Sequence, residues 1–323
     1  MGELSNADQS KYIGWQGAFY NIAKIVATGG LVYLAGILIE KSTSQGDSLY
    51  DANQHAWMII MAILSAVMVL LGIYHIFMLP SGGKRAAAEV HRTGKQVMVE
   101  LGEVLIDFFR KRHIVYYICF IILYRFAEGF VMKIVPLFLK TEREMGGLGL
   151  SEKEIGLYYG SYGAAAFVLG SLLAGYYISS RGLKKTLFTL CGIFNLPFLV
   201  YTLFAIFQPT NGLLICSGII FEYFGYGFGF VGLTLFMMQQ IAPGKHQMAH
   251  YAFASGIMNL GVMIPGMLSG WVCELFEEWF NKPSGYEPFF IFVLIATIPA
   301  FLITYFVPFK YNQDGTLIEG EKE

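Results

Sequence analysis

The chain contains eight long runs of mostly apolar residues. They extend approximately over residues 13–39, 56–78, 114–139, 155–178, 187–207, 213–238, 253–276 and 288–309. A helix rises about 1.5 Å per residue and the hydrocarbon layer of a bilayer is about 30 Å thick, so roughly 20 apolar residues can cross it. The sequence therefore predicts an all-α, polytopic membrane protein with about eight transmembrane helices.

Composition supports the lipid bilayer as the expected surroundings. Hydrophobic residues make up 55% of the chain and charged residues 14%, which is too little polar material to cover a water-soluble protein of this size. The formal net charge of −1 does not favour a nucleic acid partner. The four cysteines lie inside apolar runs without metal or redox spacing, so we expect neither a disulfide framework nor a metal site.

The distribution of positive charge predicts the orientation. Lysine and arginine in short loops tend to stay in the cytoplasm. Most of them fall on one side if the runs alternate: Lys11, the 79–113 segment, the 179–186 loop, Lys245 and the C-terminal tail. Both termini are therefore expected to be cytoplasmic.

The polar segment at 80–113 is the best candidate for a boundary between domains. It contains apolar residues at helical spacing, namely Val97, Leu101, Val104, Leu105 and Phe108. This spacing is typical of an amphipathic helix. Such a helix can lie along the inner membrane surface or pack under the bundle as a linker.

Arg125 and Glu128 are charges inside an apolar run. They are three residues apart, so on a helix they share a face and can form an ion pair. A pair that faces lipid is costly, so it should face the protein interior. Two interpretations remain open: a structural ion pair that fixes helix packing, or a site that lines a polar cavity. Lys133 is nearer the outer end and can extend towards the surface.

Glu222 is a second acid inside a run, and it has no cation at helical spacing. Loss of water favours the neutral form of such a carboxyl group, which would allow it to relay protons. The alternative is a permanent pair with Lys24 or Arg125 of another run. Lys24 lies about midway through the first run. The same two interpretations, a functional charge or a permanent ion pair, apply to it. Asn259 can hydrogen-bond between helices or to a polar solute.

Two other patterns resemble known sites without meeting their requirements. Gly227, Gly229 and Gly232 match the dinucleotide fingerprint, but they lie in the middle of an apolar run rather than between a strand and a helix. No cofactor is expected, and these glycines instead predict close helix contacts. His246 and His250 are four residues apart, and a solvated cytoplasmic loop explains them better than a metal site.

The loop "GYYISSRGLKKTL" resembles the cytoplasmic loop signature of the major facilitator superfamily. Gly175, Gly182 and Lys184 fit the signature and Lys185 follows directly, whereas Ser179 and Ser180 stand where the family has an acid and an arginine. The segments "LSEKEIGLYYGSYG", "FEYFGYGFGFVGLTLFMMQQ" and "HYAFASGIMNLGVMIPGMLSGW" are similar to the C-terminal half of AmpG-type muropeptide permeases, over residues 114–309. "GWQGAFYNIAKIVATGGLVYLAG" is similar to their fifth helix.

The resemblance implies a domain organisation. A major facilitator has two six-helix halves joined by a long cytoplasmic loop. Residues 1–79 would hold the last two helices of the N-terminal half, 80–113 the loop, 114–309 the C-terminal half and 310–323 a cytoplasmic tail. The first four helices would be absent, as in a truncated or split gene product, and another chain could supply them.

The resemblance also implies a function. The chain would belong to a symporter of the bacterial inner membrane that moves a small anionic, peptide- or muropeptide-like solute by proton-coupled alternating access. Arg125, Glu128, Lys24 and Asn259 would bind the solute, and Glu222 and Glu128 would couple transport to protons. Gly175, Gly182, Lys184 and Lys185 would form a gating loop.

Two other classes of function remain as alternatives. One is a membrane-embedded enzyme that acts on lipid or cell-wall intermediates, although no short motif assembles a nucleophile with its base. The other is a signalling or scaffold subunit that does not transport.

Overall fold

A computed structural model describes residues 6–26, 31–78, 94–312 and 316–318, apart from a few side chains in these ranges, among them that of Lys24. Regular structure in these ranges is helical, except for an isolated antiparallel bridge between Tyr311 and Leu317. The predicted all-α class is confirmed.

The helices follow one another along the chain. They are α1 (Asn6–Ile25), α2 (Leu31–Ser44), α3 (Leu49–Met78), α4 (Gly94–Arg110), α5 (Ile114–Tyr124), α6 (Phe126–Lys140), α7 (Glu152–Ile155), α8 (Gly163–Arg181), α9 (Leu183–Asn195), α10 (Phe198–Phe207), α11 (Gly212–Phe236), α12 (Gln247–Phe280) and α13 (Tyr286–Tyr305). Wider π-helical turns lead into α8 at Gly156–Tyr162 and extend α11 at Met237–Ile241.

Six stretches of the described chain are long and apolar enough to cross a membrane. They are Leu49–Met78, Gly156–Arg181, Leu183–Phe207, Gly212–Ile241, Gln247–Phe280 and Tyr286–Tyr305. Each overlaps one predicted run, so a protein with several membrane spans is confirmed. The run at 13–39 corresponds to most of α1 and part of α2.

The run at 114–139 differs from the prediction of one unbroken helix. Helix α5 ends at Tyr124 and α6 begins at Phe126, because Arg125 between them leaves the helical conformation, with φ −108° and ψ 7°. The amide of Gly129 still donates to the carbonyl oxygen of Arg125 at 3.1 Å, so helical hydrogen bonding resumes at once. The interruption therefore falls at the charged residue.

The described chain divides into two compact units. The smaller unit is Ile22–Gly102, and in it α2 packs against α3. Ala52, Ala56 and Ile60 are buried at a spacing of four, which places them on one face of α3. Ser48 caps the start of α3, since its hydroxyl accepts a hydrogen bond from the amide of Asp51 at 3.2 Å.

The larger unit comprises Met1–Asn21 and Glu103–Glu323, and α11 packs against both α8 and α9 in it. A side chain at Gly227 would collide with the carbonyl oxygen of Phe167 on α8, and one at Gly229 would collide with Phe194 on α9. The close contacts predicted from the glycines of α11 are confirmed.

The end of α4 packs against the start of α12. Val104 and Phe108 are buried, and the ring of Phe108 lies 5.7 Å from that of His250 and 5.6 Å from that of Phe253. His250 is 2% exposed, and its Nε2 lies 3.2 Å from the carbonyl oxygen of Val104. The prediction of a solvated loop was wrong for His250, because α4 covers it. This end of α4 fits the alternative of a helix packed under the bundle.

We expect Gly227→Ala to lower the unfolding midpoint of the detergent-solubilised protein. Separating α11 from α8 to admit a methyl group should cost about 1–3 kcal/mol. Gly256→Ala is the control, because a Cβ at Gly256 on α12 meets nothing within 4 Å, and alanine is the better helix former by about 1 kcal/mol. Equal midpoints for the two variants would contradict the packing of α11.

Candidate functional site

A buried ion pair lies where α5 gives way to α6. Nε of Arg125 donates to Oε2 of Glu128 at 2.6 Å, and Nη2 donates to Oε1 at 2.5 Å. Arg125 is 5% exposed and Glu128 is 3% exposed. The two parallel hydrogen bonds balance both charges.

Helix α11 supplies the other contacts of the guanidinium group. The Tyr226 hydroxyl lies 3.5 Å from Nη2 of Arg125, and the ring centroid of Phe230 lies 5.3 Å from its Cζ. The ring of Phe230 is within the range at which an aromatic face attracts a cation. Arg125 is therefore held between a carboxylate and an aromatic face.

Glu222 lies on the same face of α11 as Tyr226 and Phe230, since the three are spaced four residues apart. It is 8% exposed, and the Tyr201 hydroxyl of α10 donates to its Oε2 at 3.1 Å. Within the described chain Glu222 forms no ion pair. The predicted pair with Arg125 is not formed, because Arg125 pairs with Glu128. A pair between Glu222 and Lys24 stays a prediction, because the Lys24 side chain lies outside the described residues.

Three tyrosine rings pack next to one another near the carboxylates of Glu222 and Glu128. The ring centroids of Tyr159 and Tyr223 lie 4.9 Å apart, and those of Tyr223 and Tyr226 lie 6.5 Å apart. Tyr159 therefore packs against the residue that follows Glu222 on α11. All three residues are partly exposed, and Tyr226 also lies next to the guanidinium group of Arg125.

Arg125, Glu128 and Glu222 together form the charged cluster of this site. The charges of Arg125 and Glu128 cancel, which leaves Glu222 as the group whose protonation decides whether the cluster is neutral or carries one negative charge. A buried carboxyl group of this kind is a characteristic site of proton exchange in membrane proteins.

The other residues predicted from the sequence lie elsewhere. Asn259 occupies an exposed face of α12, and no contact joins it to this cluster among the described residues. Lys133 is exposed as well, in agreement with a side chain that extends towards the surface. Gly175 is buried in α8, while Gly182 lies at the junction of α8 and α9 with φ +82°. Lys184 and Lys185 are exposed in the first turn of α9.

Sequence reasoning missed the tyrosines. Tyr226 could have been identified from the sequence, because it lies four residues after Glu222 and therefore on the same face of α11. Tyr159 and Tyr201 belong to other helices, and nothing in the sequence connects them to Glu222. Their participation follows from how α10 and the turns before α8 pack.

A set of membrane-length helices that encloses a charged cluster is the arrangement of membrane transport proteins. The profile of the Major Facilitator Superfamily matches residues 2–247. The chain therefore belongs to this superfamily, whose members are transporters rather than enzymes. The membrane-embedded enzyme considered above is set aside.

More specific relatives are distant. "Putative transporter AmpG 1" of Rickettsia felis is 25% identical over 191 residues, which cover 59% of this chain and 40% of the relative. "Anhydromuropeptide permease" of Escherichia coli is 22% identical over 199 residues, which cover 61% of this chain and 37% of the relative. The predicted resemblance is confirmed, and the matched part of the chain corresponds to well under half of the length of these relatives.

A double-mutant cycle on the ion pair should show strong coupling. Glu128→Gln and Arg125→Met alone each leave a buried charge without its partner, which should cost about 3–5 kcal/mol in unfolding free energy. The double variant removes both charges and should lose less than either single variant. The measurement is unfolding in detergent. Losses that simply add in the double variant would contradict a mutual pair.

Proposed function

We propose that this chain forms part or all of a proton-coupled symporter of the bacterial inner membrane, with both termini in the cytoplasm. The solute is a small anionic, peptide- or muropeptide-like molecule. The observation that carries the proposal is the buried pair of Arg125 and Glu128 beside Glu222, an acid that has only a tyrosine as its described hydrogen-bond partner.

The domain organisation belongs to the same proposal. Residues 1–79 represent the last two helices of an N-terminal half, 80–113 the central loop, 114–309 a six-helix half and 310–323 a tail. Five of the membrane-length stretches fall in 114–309, and the interrupted helix α5–α6 makes the sixth. A second chain that supplies the remaining helices is a proposed partner.

Arg125 is the proposed anchor for a carboxylate of the solute. Its guanidinium group already holds one carboxylate through two parallel hydrogen bonds, which is the geometry that a solute carboxylate would also use. An arriving solute can therefore take the place of Glu128. Glu128, released into surroundings that disfavour a bare charge, would take up a proton or a new partner.

Glu222 is the proposed main proton carrier. In its ionised form it adds one negative charge to the cluster, and protonation removes that charge. An anionic solute and a proton that arrive together would leave the total charge of the cluster unchanged. Such balance favours their joint movement while the two halves expose the site to each side in turn.

The remaining predicted residues have secondary roles in this proposal. Lys24 on α1 and Asn259 on α12 would contact the solute when the transporter is complete. The loop that contains Gly175, Gly182, Lys184 and Lys185 would gate one side of the path.

Uptake into membrane vesicles tests the proposal, with a radiolabelled anionic muropeptide as the probe and an imposed pH gradient. We expect Glu222→Gln to lower gradient-driven uptake at least about tenfold, since glutamine cannot carry the proton. Glu144→Gln is the matched control, because Glu144 is an exposed acid outside the cluster. The amount of protein in the membrane should be the same for both variants.

Two results would reject the proposal. Gradient-driven uptake at the wild-type level in the Glu222 variant would remove its role as proton carrier. Absence of uptake by the wild-type protein, produced together with any chain that supplies further helices, would favour the signalling or scaffold alternative.

A further inference from the structure

A second polar site lies apart from the Arg125 cluster. It is a pocket of about 180 Å³ that three segments enclose. They are the junction of α8 and α9, the π-helical turns that extend α11, and the segment after α13. Its lining includes Arg181, Lys184, Lys185, Gln239, Gln240 and Asn312. Three sequence-distant segments therefore meet around one small space.

The charged residues in the described part of the lining are all cations. Arg181, Lys184 and Lys185 contribute three cations, and no carboxylate is among the described residues that line the pocket. Neither lysine forms an ion pair within the described chain. The guanidinium group of Arg181 is positioned over the ring of Tyr177, 4.9 Å from its centroid. Like charges gathered in a concavity concentrate positive potential, which attracts an anion.

Hydrogen bonds of Gln240 hold one wall of the pocket together. Gln240 is buried, and its Oε1 accepts hydrogen bonds from the amides of Lys310 at 2.8 Å and Tyr311 at 3.0 Å. Its Nε2 donates to the carbonyl oxygen of Tyr311 at 3.0 Å. The amide of Asn312 in turn donates to the carbonyl oxygen of Thr316 at 2.8 Å. These bonds fasten the end of α11 to the segment after α13.

Neighbouring lysines extend the positive region. Lys111, which precedes α5, donates from Nζ to the carbonyl oxygens of Ile241 and Pro243 at 2.5 and 2.6 Å. Burial, and after it the charge of Lys310, lowers the pKa of Lys111 to about 8. The charge of nearby Asp107 acts in the opposite direction on this pKa.

We propose that the pocket binds a phosphate group, supplied either by free phosphate or by the headgroup of an anionic phospholipid. The planar fork of arginine and the ammonium groups of lysine suit phosphate oxygens. A pocket of about 180 Å³ has room for a phosphate group with a few of its waters. A bound phosphate would link the three segments and stabilise this end of the protein.

Thermal unfolding of the purified chain tests the site in two arms. In the first arm the protein is in neutral detergent, and inorganic phosphate replaces chloride at constant ionic strength. The other arm compares bilayer nanodiscs of phosphatidylglycerol with nanodiscs of phosphatidylcholine. We expect at least one phosphate source to raise the unfolding midpoint, and the double substitution Lys184→Gln and Lys185→Gln to weaken the apparent affinity about tenfold or more.

Lys245→Gln is the control variant, because Lys245 is an exposed lysine of the loop after α11 and does not line the pocket. It should respond as the wild-type protein does. Saturable stabilisation by inorganic phosphate would identify a site for soluble phosphates, and a response to phosphatidylglycerol alone would identify a lipid headgroup site. No stabilisation by either source, or an undiminished response in the double variant, would overturn the proposal. Neither result depends on whether the chain transports a solute.

Discussion

The ion pair between Arg125 and Glu128 is the constraint on which the rest of the site depends. A lone charge inside a membrane-embedded bundle is expensive, and two hydrogen-bonded opposite charges reduce that cost without removing it. The helix is interrupted at Arg125, between α5 and α6, and Tyr226 and Phe230 of α11 cover the guanidinium group. A buried ion pair contributes little to stability by itself, which favours a function for this one.

Close helix packing at glycine positions determines which side chains of α11 surround the pair of Arg125 and Glu128. Gly227 and Gly229 let α11 approach α8 and α9 closely, and this position of α11 presents Glu222, Tyr226 and Phe230 to the interior. The second acid thus lies near the first pair without a described cation of its own. Arg125 is a positive charge held in place, and Glu222 is the acid that we propose takes up and releases a proton. A proton-coupled carrier of an anionic solute requires both properties.

The sequence predicted the parts of this account that depend on local spacing. Apolar runs predicted the spans, and the three-residue separation of Arg125 and Glu128 allowed their pairing. The break at Arg125 was not predictable, because hydrophobic content is the same for a continuous and an interrupted helix. The burial of His250 was missed for a related reason: the pattern of α4 shows an apolar face but not what that face covers. Tyr201 reaches Glu222 only through the packing of α10 on α11.

The central claim is that Arg125, Glu128 and Glu222 line the path of a solute. Access of water to this cluster tests the claim most directly. Tyr226→Cys would be made in a chain whose native cysteines are replaced by alanine, and a small water-soluble thiol reagent would be applied to membrane vesicles. If the pair faces an aqueous path, the new cysteine should react, as should a cysteine placed at exposed Glu144 as a reference. A cysteine at position 226 that stays unreactive while the reference reacts fully would show a dry, structural ion pair and contradict the account.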